Sequence, residues 1–279
     1  SNVALASTVG PKGRNMGLVV FRYTAVAGAC AALACSFPQV SVSVISHSLQ
    51  VAMRAVLWHG SGAMIALLPL ILWPGTVGPR VVGKCSKTGR IPRWSHLLHW
   101  SFHMYNQAHL RVAHFVRSRF LGVPAATEVV PGWYLGGLFV DRVRLVDGGD
   151  DQAQDPDGKG LTWAAIVDLT CEFAERGRCH PEDYYHLPTW DGCPPDHTRF
   201  AEVGRFLAKR APRGPVVVHC AYGVGRSTTV LCAALVVAGH FQHWEQALKH
   251  VAERRPIVHV NASMRRALDQ FQNEFSKSG

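Results

Sequence analysis

The sequence predicts an α/β domain with a central, mainly parallel sheet between helices, preceded by an α-helical membrane hairpin. Three observations lead there: every carboxylate falls after position 127, two long apolar stretches lie before that point, and short apolar strands alternate with helical segments beyond it.

Charge separates the two halves. Of 279 residues the first acidic one is Glu128, and 12 of the 29 lysines and arginines precede it. Residues 1–127 therefore carry +12, and the remainder sets 17 basic groups against 19 acidic ones. Soluble domains rarely run so far without a carboxylate, so only the second half reads as an ordinary enzyme domain. A total of +10 would suit nucleic acid, but the excess lies in the apolar region and fits anionic lipid headgroups instead. The eight cysteines form no CxxC pair, and a chain of this length needs no disulfide staples, so a reducing compartment is expected.

Residues 1–92 read as a membrane anchor. Residues 17–37 carry one charge, Arg22, and residues 55–73 carry none. Each is long enough to cross the hydrocarbon, which takes roughly 20 helical residues. Lys12 and Arg14 precede the first stretch, Arg80, Lys84, Lys87, Arg90 and Arg93 follow the second, and residues 38–50 between them carry no charge. By the positive-inside rule both ends, and hence the catalytic domain, face the cytoplasm in a multi-pass arrangement. The alternative for the first stretch is a cleaved signal or an acid-poor mitochondrial targeting segment. Residues 93–125 mix Trp94, Leu97, Leu98, Phe115 and Phe120 with Arg111, Arg117 and Arg119, the composition of a basic amphipathic linker helix at a membrane surface. Its histidines at 96, 99 and 103 have helical spacing but no Cys, Asp or Glu beside them, so a solvated face is expected and no metal.

From 126 to 279 the pattern is that of an α/β domain. Strands are expected at 129–135, 164–169 and 215–219, and helices at 200–211, 226–238, 246–254 and 264–275, with an acidic, Gly-rich loop at 147–160. The informative junction is His219-Cys220-Ala221-Tyr222-Gly223-Val224-Gly225-Arg226-Ser227, between an apolar strand and an apolar helix. Two glycines in such a turn let backbone N–H groups converge on one anion at a helix N-terminus. The same field favours a thiolate at Cys220, and Arg226 can place its planar fork on phosphoryl oxygens. Ser227 can donate its hydroxyl to the sulfur. The chemistry these residues imply is covalent, in two steps and free of metal or other cofactor.

These residues resemble the Cys-x5-Arg-Ser/Thr signature of the protein tyrosine phosphatase superfamily, and their surroundings are similar to its dual-specificity branch. Residues 128–137 (EVVPGWYLGG) are similar to the opening strand of that branch, 164–170 (AAIVDLT) to its next core strand, and 247–261 (ALKHVAERRPIVHVN) to its later Arg-Pro and Asn segment. The resemblance implies a three-layer domain and an acid on a loop roughly thirty residues before the cysteine. Asp191 is the first choice and Asp196 the second, while Asp168 fits a strand end. It further implies that His219, Ala221, Tyr222, Gly223, Val224 and Gly225 wrap the substrate phosphate. Ala221, Tyr222 and Val224 add no cation to the loop, a departure from phosphoinositide-directed relatives. Phosphoproteins are thus the expected substrates, a phospholipid phosphatase the alternative, and an idle phosphate-binding adaptor the lesser one. Cys171 offers itself as a partner for an oxidised Cys220.

Overall fold

The computed structural model describes residues 12–36, 47–72, 80–143 and 161–278, and the chain divides into two compact units, 1–73 and 74–279. The expected loop at 147–160 and residues 38–46 of the connecting segment lie outside the described residues.

The first unit contains α1 (Lys12–Ser36) and α2 (His47–Leu72), which pack against one another. Tyr23, Ala27 and Ala34 from α1, and Ser61, Met64 and Leu67 from α2, are buried, so small residues of α1 receive larger ones of α2. Arg54 donates from Nε to the carbonyl of Ala34 at 3.1 Å, placing a cation on the C-terminal turn of α1. Phe21, Leu33, Val56, Trp58 and Ile65 face outwards. Within α2, Leu49–Leu70 is long and apolar enough to cross a membrane, with a mean hydropathy of 1.4. The apolar part of α1, Val20–Ser36, is shorter than the 17–37 stretch read from the sequence.

The second unit opens with residues 80–92, then α3 (Arg93–Leu98) and α4 (Trp100–Phe120). The linker expected as one helix is therefore broken at His99, whose backbone leaves the helical region (φ −113°, ψ 35°). Against the solvated face expected, His99 and His103 are buried: His103 meets Ser95 Oγ at 3.0 Å from Nε2, and its ring lies tilted against that of the exposed His96 with centroids 4.4 Å apart.

The sheet has the order β1-β2-β5-β3-β4, built from β1 (Ala126–Val130), β2 (Trp133–Gly136), β3 (Ala165–Thr170), β4 (Tyr184–Thr189) and β5 (Val216–His219). Among the described residues only β1 and β2 pair antiparallel. The single strand expected at 129–135 is a hairpin, because Pro131-Gly132 forces a turn with Gly132 at φ +77°. That dipeptide was the missed signal. Strand β4, also unforeseen, is half-buried and interrupted by Pro188, which hides its period.

Alternation along the strands decides the two faces. Ala165, Val167 and Leu169 of β3, with Val216 and Val218 of β5, enter the main core against α5 (Phe200–Arg210), α6 (Arg226–Val237), α7 (Trp244–Arg254) and α8 (Ala262–Ser278). All residues of α6 from Arg226 to Val236 are buried, so it is the central helix. Ile166 and Val217 point the other way, onto Trp163, Tyr134 and Val140. This second covering layer is mostly irregular. It is closed by the segment before α3, whose Lys84 is buried and bonded to Asp168 Oδ2, to Thr170 O at 2.9 Å and to Thr170 Oγ1 at 2.9 Å. The loop that follows is tied down by the Glu175 N–H donating to Gly89 O at 2.9 Å.

Removing one partner of a buried ion pair leaves the other uncompensated, at a cost of about 3–5 kcal/mol. Lys84→Met should therefore lower the melting temperature markedly, and Lys84→Met/Asp168→Asn should lose less than the single variant. Equal melting of wild type and Lys84→Met would show that the segment before α3 does not close the fold.

Candidate active site

The turn between β5 and α6 brings the junction residues together. Register places Gly136 of β2 and Asp168 of β3 on either side of His219, so the loop leaves the C-terminal edge of a central parallel strand. Gly223 adopts φ +67°, and a Cβ there would stand 2.7 Å from the carbonyl of Gly136, so backbone packing demands glycine. Its N–H donates to Cys220 Sγ at 3.3 Å, and Ser227 Oγ lies 3.2 Å from the same sulfur. Burial of Cys220 opposes ionisation. The charge of Arg226, the Ser227 hydroxyl, and the N–H groups of Ser227 and Val224 outweigh it, and the thiol pKa is lowered.

Arg226 is buried and held by a residue the sequence reading passed over. Its Nη2 donates to Glu172 Oε1 at 2.8 Å and its Nη1 to Glu172 Oε2 at 3.2 Å, a bidentate pair, with Nη1 also on the Thr189 carbonyl at 2.6 Å. Burial works against the Glu172 charge, but Arg226 wins and the carboxyl pKa is lowered. Among the described residues Nε of Arg226 has no hydrogen-bond partner, which leaves a donor for a ligand. Glu172 follows β3 by two positions, and no spacing rule marks it.

Asp191 lies on a turn closed by the Cys193 N–H donating to Trp190 O at 3.1 Å, with Gly192 at φ +80°. Its half-exposed carboxylate sits 3.3 Å from Arg226 Nη2. Asn261 steadies the turn, donating to Gly192 O at 3.0 Å while its own oxygen accepts from Met264 N at 2.9 Å. Trp190 packs edge-on against Phe102 of α4, centroids 6.0 Å apart. Asp196, the second choice, is used elsewhere as a helix cap, accepting from Thr198 N at 3.1 Å and Thr198 Oγ1 at 2.7 Å. Tyr222 hydrogen-bonds His109 of α4, and Ala221 packs on Leu110, Leu138 and Phe173. The Cys171 thiol donates to Glu172 at 3.4 Å, and burial first, then Glu172, raises its pKa well above the ordinary value.

Behind the loop His219 meets Glu175 at 2.7 Å, with Asp168 3.8 Å away. The ligand atoms of Asp168, Glu175 and His219 lie within 4.8 Å of one another, a grouping that could hold a metal, but Lys84 already supplies Asp168 with a cation. Burial lowers the His219 pKa, and the carboxylates of Glu175 and Asp168 more than reverse this, raising it to about 9.

A thiol, a buried guanidinium and a carboxylate are gathered at one glycine turn, the set of groups that the resemblance to cysteine-based phosphatases implies. Residues 197–274 match the family described as dual specificity phosphatase, catalytic domain. Dual specificity protein phosphatase 15 of Mus musculus is 28% identical over 148 residues, covering 52% of this chain and 57% of that protein. Dual specificity protein phosphatase 26 of Rattus norvegicus is 30% identical over 155 residues, covering 51% and 65%. The chain thus spans less than two thirds of the length of either relative. The crystal structure of human DUSP28 aligns with a TM-score of 0.43 at 17% identity, over 55% of this chain and 96% of that one. The second unit is thus similar to dual-specificity phosphatase catalytic domains, by the family match over residues 197–274 and by these relatives over about half of the chain.

A group whose pKa rises on folding stabilises fully below its unfolded value and stops doing so above its folded one. His219 should therefore support the fold below pH 6.5 and cease to as pH rises through about 9. Melting curves over that window should decline for wild type and run flatter for His219→Gln; equal slopes would assign the decline to other groups.

Proposed function

We propose that the second unit hydrolyses phosphomonoesters of phosphoproteins, on tyrosine and on serine or threonine, through a phosphocysteine. The observation that carries this reading is the Cys220 sulfur held 3.2 Å from Ser227 Oγ and 3.3 Å from the Gly223 N–H, next to a buried Arg226. The Cys220 thiolate attacks phosphorus while the loop N–H groups and Arg226 hold the equatorial oxygens. Asp191 gives its proton to the departing ester oxygen. In the second step the Asp191 carboxylate takes a proton from water, whose oxygen attacks phosphorus, and the sulfur leaves as a thiolate stabilised by Ser227.

Membrane attachment is part of the proposal. Leu49–Leu70 supports it, as do the outward apolar residues of α1 and α2 and the absence of carboxylates before Glu128. On this reading α1 and α2 form a hairpin with both ends cytoplasmic, and the exposed Met104, Phe115, Val116 and Phe120 of α4 face the headgroups. A membrane-held cleft also favours the second reading, a phospholipid monoester as substrate.

Cys220→Ser or Arg226→Ala should abolish turnover of p-nitrophenyl phosphate, and retained activity in either variant would refute the site. Asp191→Asn should slow an alkyl phosphate by about 100-fold or more while sparing aryl phosphates with good leaving groups, because general acid catalysis contributes about 10²–10⁴. Equal losses on both would remove Asp191 from the acid role. Activity on vesicle-embedded lipid phosphates in place of phosphopeptides would favour the second reading. Deleting residues 47–72 should release the protein from the membrane fraction, and continued sedimentation with membranes would argue against the anchor.

A further inference from the structure

Beside the nucleophile loop lies a second recess of different construction. It is a small, partly open recess of about 20 Å³, walled by Leu110, His114 and Arg117 of α4, by Phe139, and by Ala221 and Tyr222 of the loop. None of its lining residues is acidic. The Arg117 guanidinium stands 4.8 Å over the Tyr222 ring, and its Nη1 is buried with no hydrogen-bond partner among the described residues.

A second guanidinium, that of Arg255, also borders the recess, but most of its donors are taken up, Nη2 reaching only Tyr222 O at 3.5 Å. Nε holds Gly223 O at 3.0 Å, and Nη1 holds Pro124 O at 3.0 Å and Thr127 Oγ1 at 2.8 Å. Burial brings the Arg255 pKa down to about 10 against the pull of Cys220, and the positive charge of Arg117 adds to the depression. Two guanidinium groups thus face a common space with no anion between them among the described residues. The His114 ring, 4.2 Å from that of Phe139, is kept towards its neutral form, chiefly by burial. Arg117 therefore supplies the recess with a cationic donor that is uncommitted among the described residues.

Tyr222 is two residues from Cys220, so this wall lies within about 7 Å of the nucleophile along the backbone. An extended peptide rises about 3.3 Å per residue, which brings the side chain two or three positions from the target residue to the same recess. A single uncommitted guanidinium between apolar walls suits one carboxylate or phosphate. A lipid headgroup carrying several phosphates would need more cations than the recess and the loop residues Ala221, Tyr222 and Val224 provide.

We propose that Arg117, held over Tyr222, forms a subsite for one acidic side chain flanking the phosphorylated residue of a phosphopeptide. The inference rests on the phosphatase reading above and extends it to substrate choice. It also gives α4, which precedes the family match, a part in recognition.

The test compares phosphotyrosine peptides that differ only in carrying glutamate, glutamine or lysine two and three positions from the phosphoresidue, with the full chain as enzyme. In wild type the glutamate peptide should exceed the glutamine peptide in kcat/KM by about tenfold, the worth of one charge-assisted hydrogen bond. Arg117→Ala should bring this ratio close to one, and Arg117→Glu should invert it in favour of the lysine peptide. The ratio is taken within each variant, so a general loss of activity divides out. Arg117→Gln, which keeps part of the stem over Tyr222, gives the same readout should the alanine variant fold poorly. A wild-type ratio near one, or an undiminished ratio in the variants, overturns the inference alone. Arg117-dependent hydrolysis of phosphatidylinositol phosphate in vesicles, without discrimination among peptides, overturns it in favour of a lipid headgroup. Failure of wild type to turn over any phosphoester defeats the phosphatase reading and this inference with it.

Discussion

A guanidinium buried at the start of the central helix is the constraint around which the second unit is organised. Arg226 is 1% exposed, and such a charge is tolerable only when its donors meet acceptors of matching shape. Glu172 supplies both carboxylate oxygens, and the Thr189 carbonyl a third acceptor. These partners come from the ends of β3 and β4, so satisfying the arginine fixes where two strands terminate relative to the loop from β5. The geometry around Cys220 follows from that closure, because the loop is held on one side by Arg226 and on the other by Gly223 against Gly136.

Strand alternation carries the consequence to the opposite face of the sheet. Residues of β3 and β5 that point away from the helices end in Asp168 and His219, side by side in the register and buried. A pair of this kind needs further charges to be stable, and Glu175 and Lys84 provide them. The resulting four-charge cluster includes His219, the residue preceding the nucleophile. It also explains why a stretch that reads as a connector is part of the folded unit: the cluster is incomplete without Lys84.

Helix α4 has two distinct sides. One meets the active-site rim through Phe102 on Trp190, His109 on Tyr222 and Leu110 in a small core with Ala221. The other exposes Met104, Phe115, Val116 and Phe120. The amphipathic pattern read from the sequence is thus real, but its inner side faces protein, and its polar groups near Tyr222 border the loop.

The sequence by itself determined the elements whose physics is local. The β5–loop–α6 junction was legible because glycines, a cysteine and an arginine at fixed offsets can be read without knowing any distant contact, and the terminal helices announced themselves by their period. The lack of carboxylates before Glu128 and the apolar stretch ending in α2 were likewise matters of composition, but the compact units divide at residues 73 and 74, and the segment from 80 to 127 packs into the second. Only the tertiary structure decided the partners. Glu172, Glu175 and Lys84 bear no local mark, since a carboxylate or ammonium acquires its role from whichever opposite charge the fold brings within 4 Å. The same holds for Arg117 and Arg255, whose proximity depends on how α4 lies against the loop. The β1–β2 hairpin and β4 were missed for a related reason: Pro131-Gly132 and Pro188 interrupt the apolar period, and pairing across the sheet overrides the interruption.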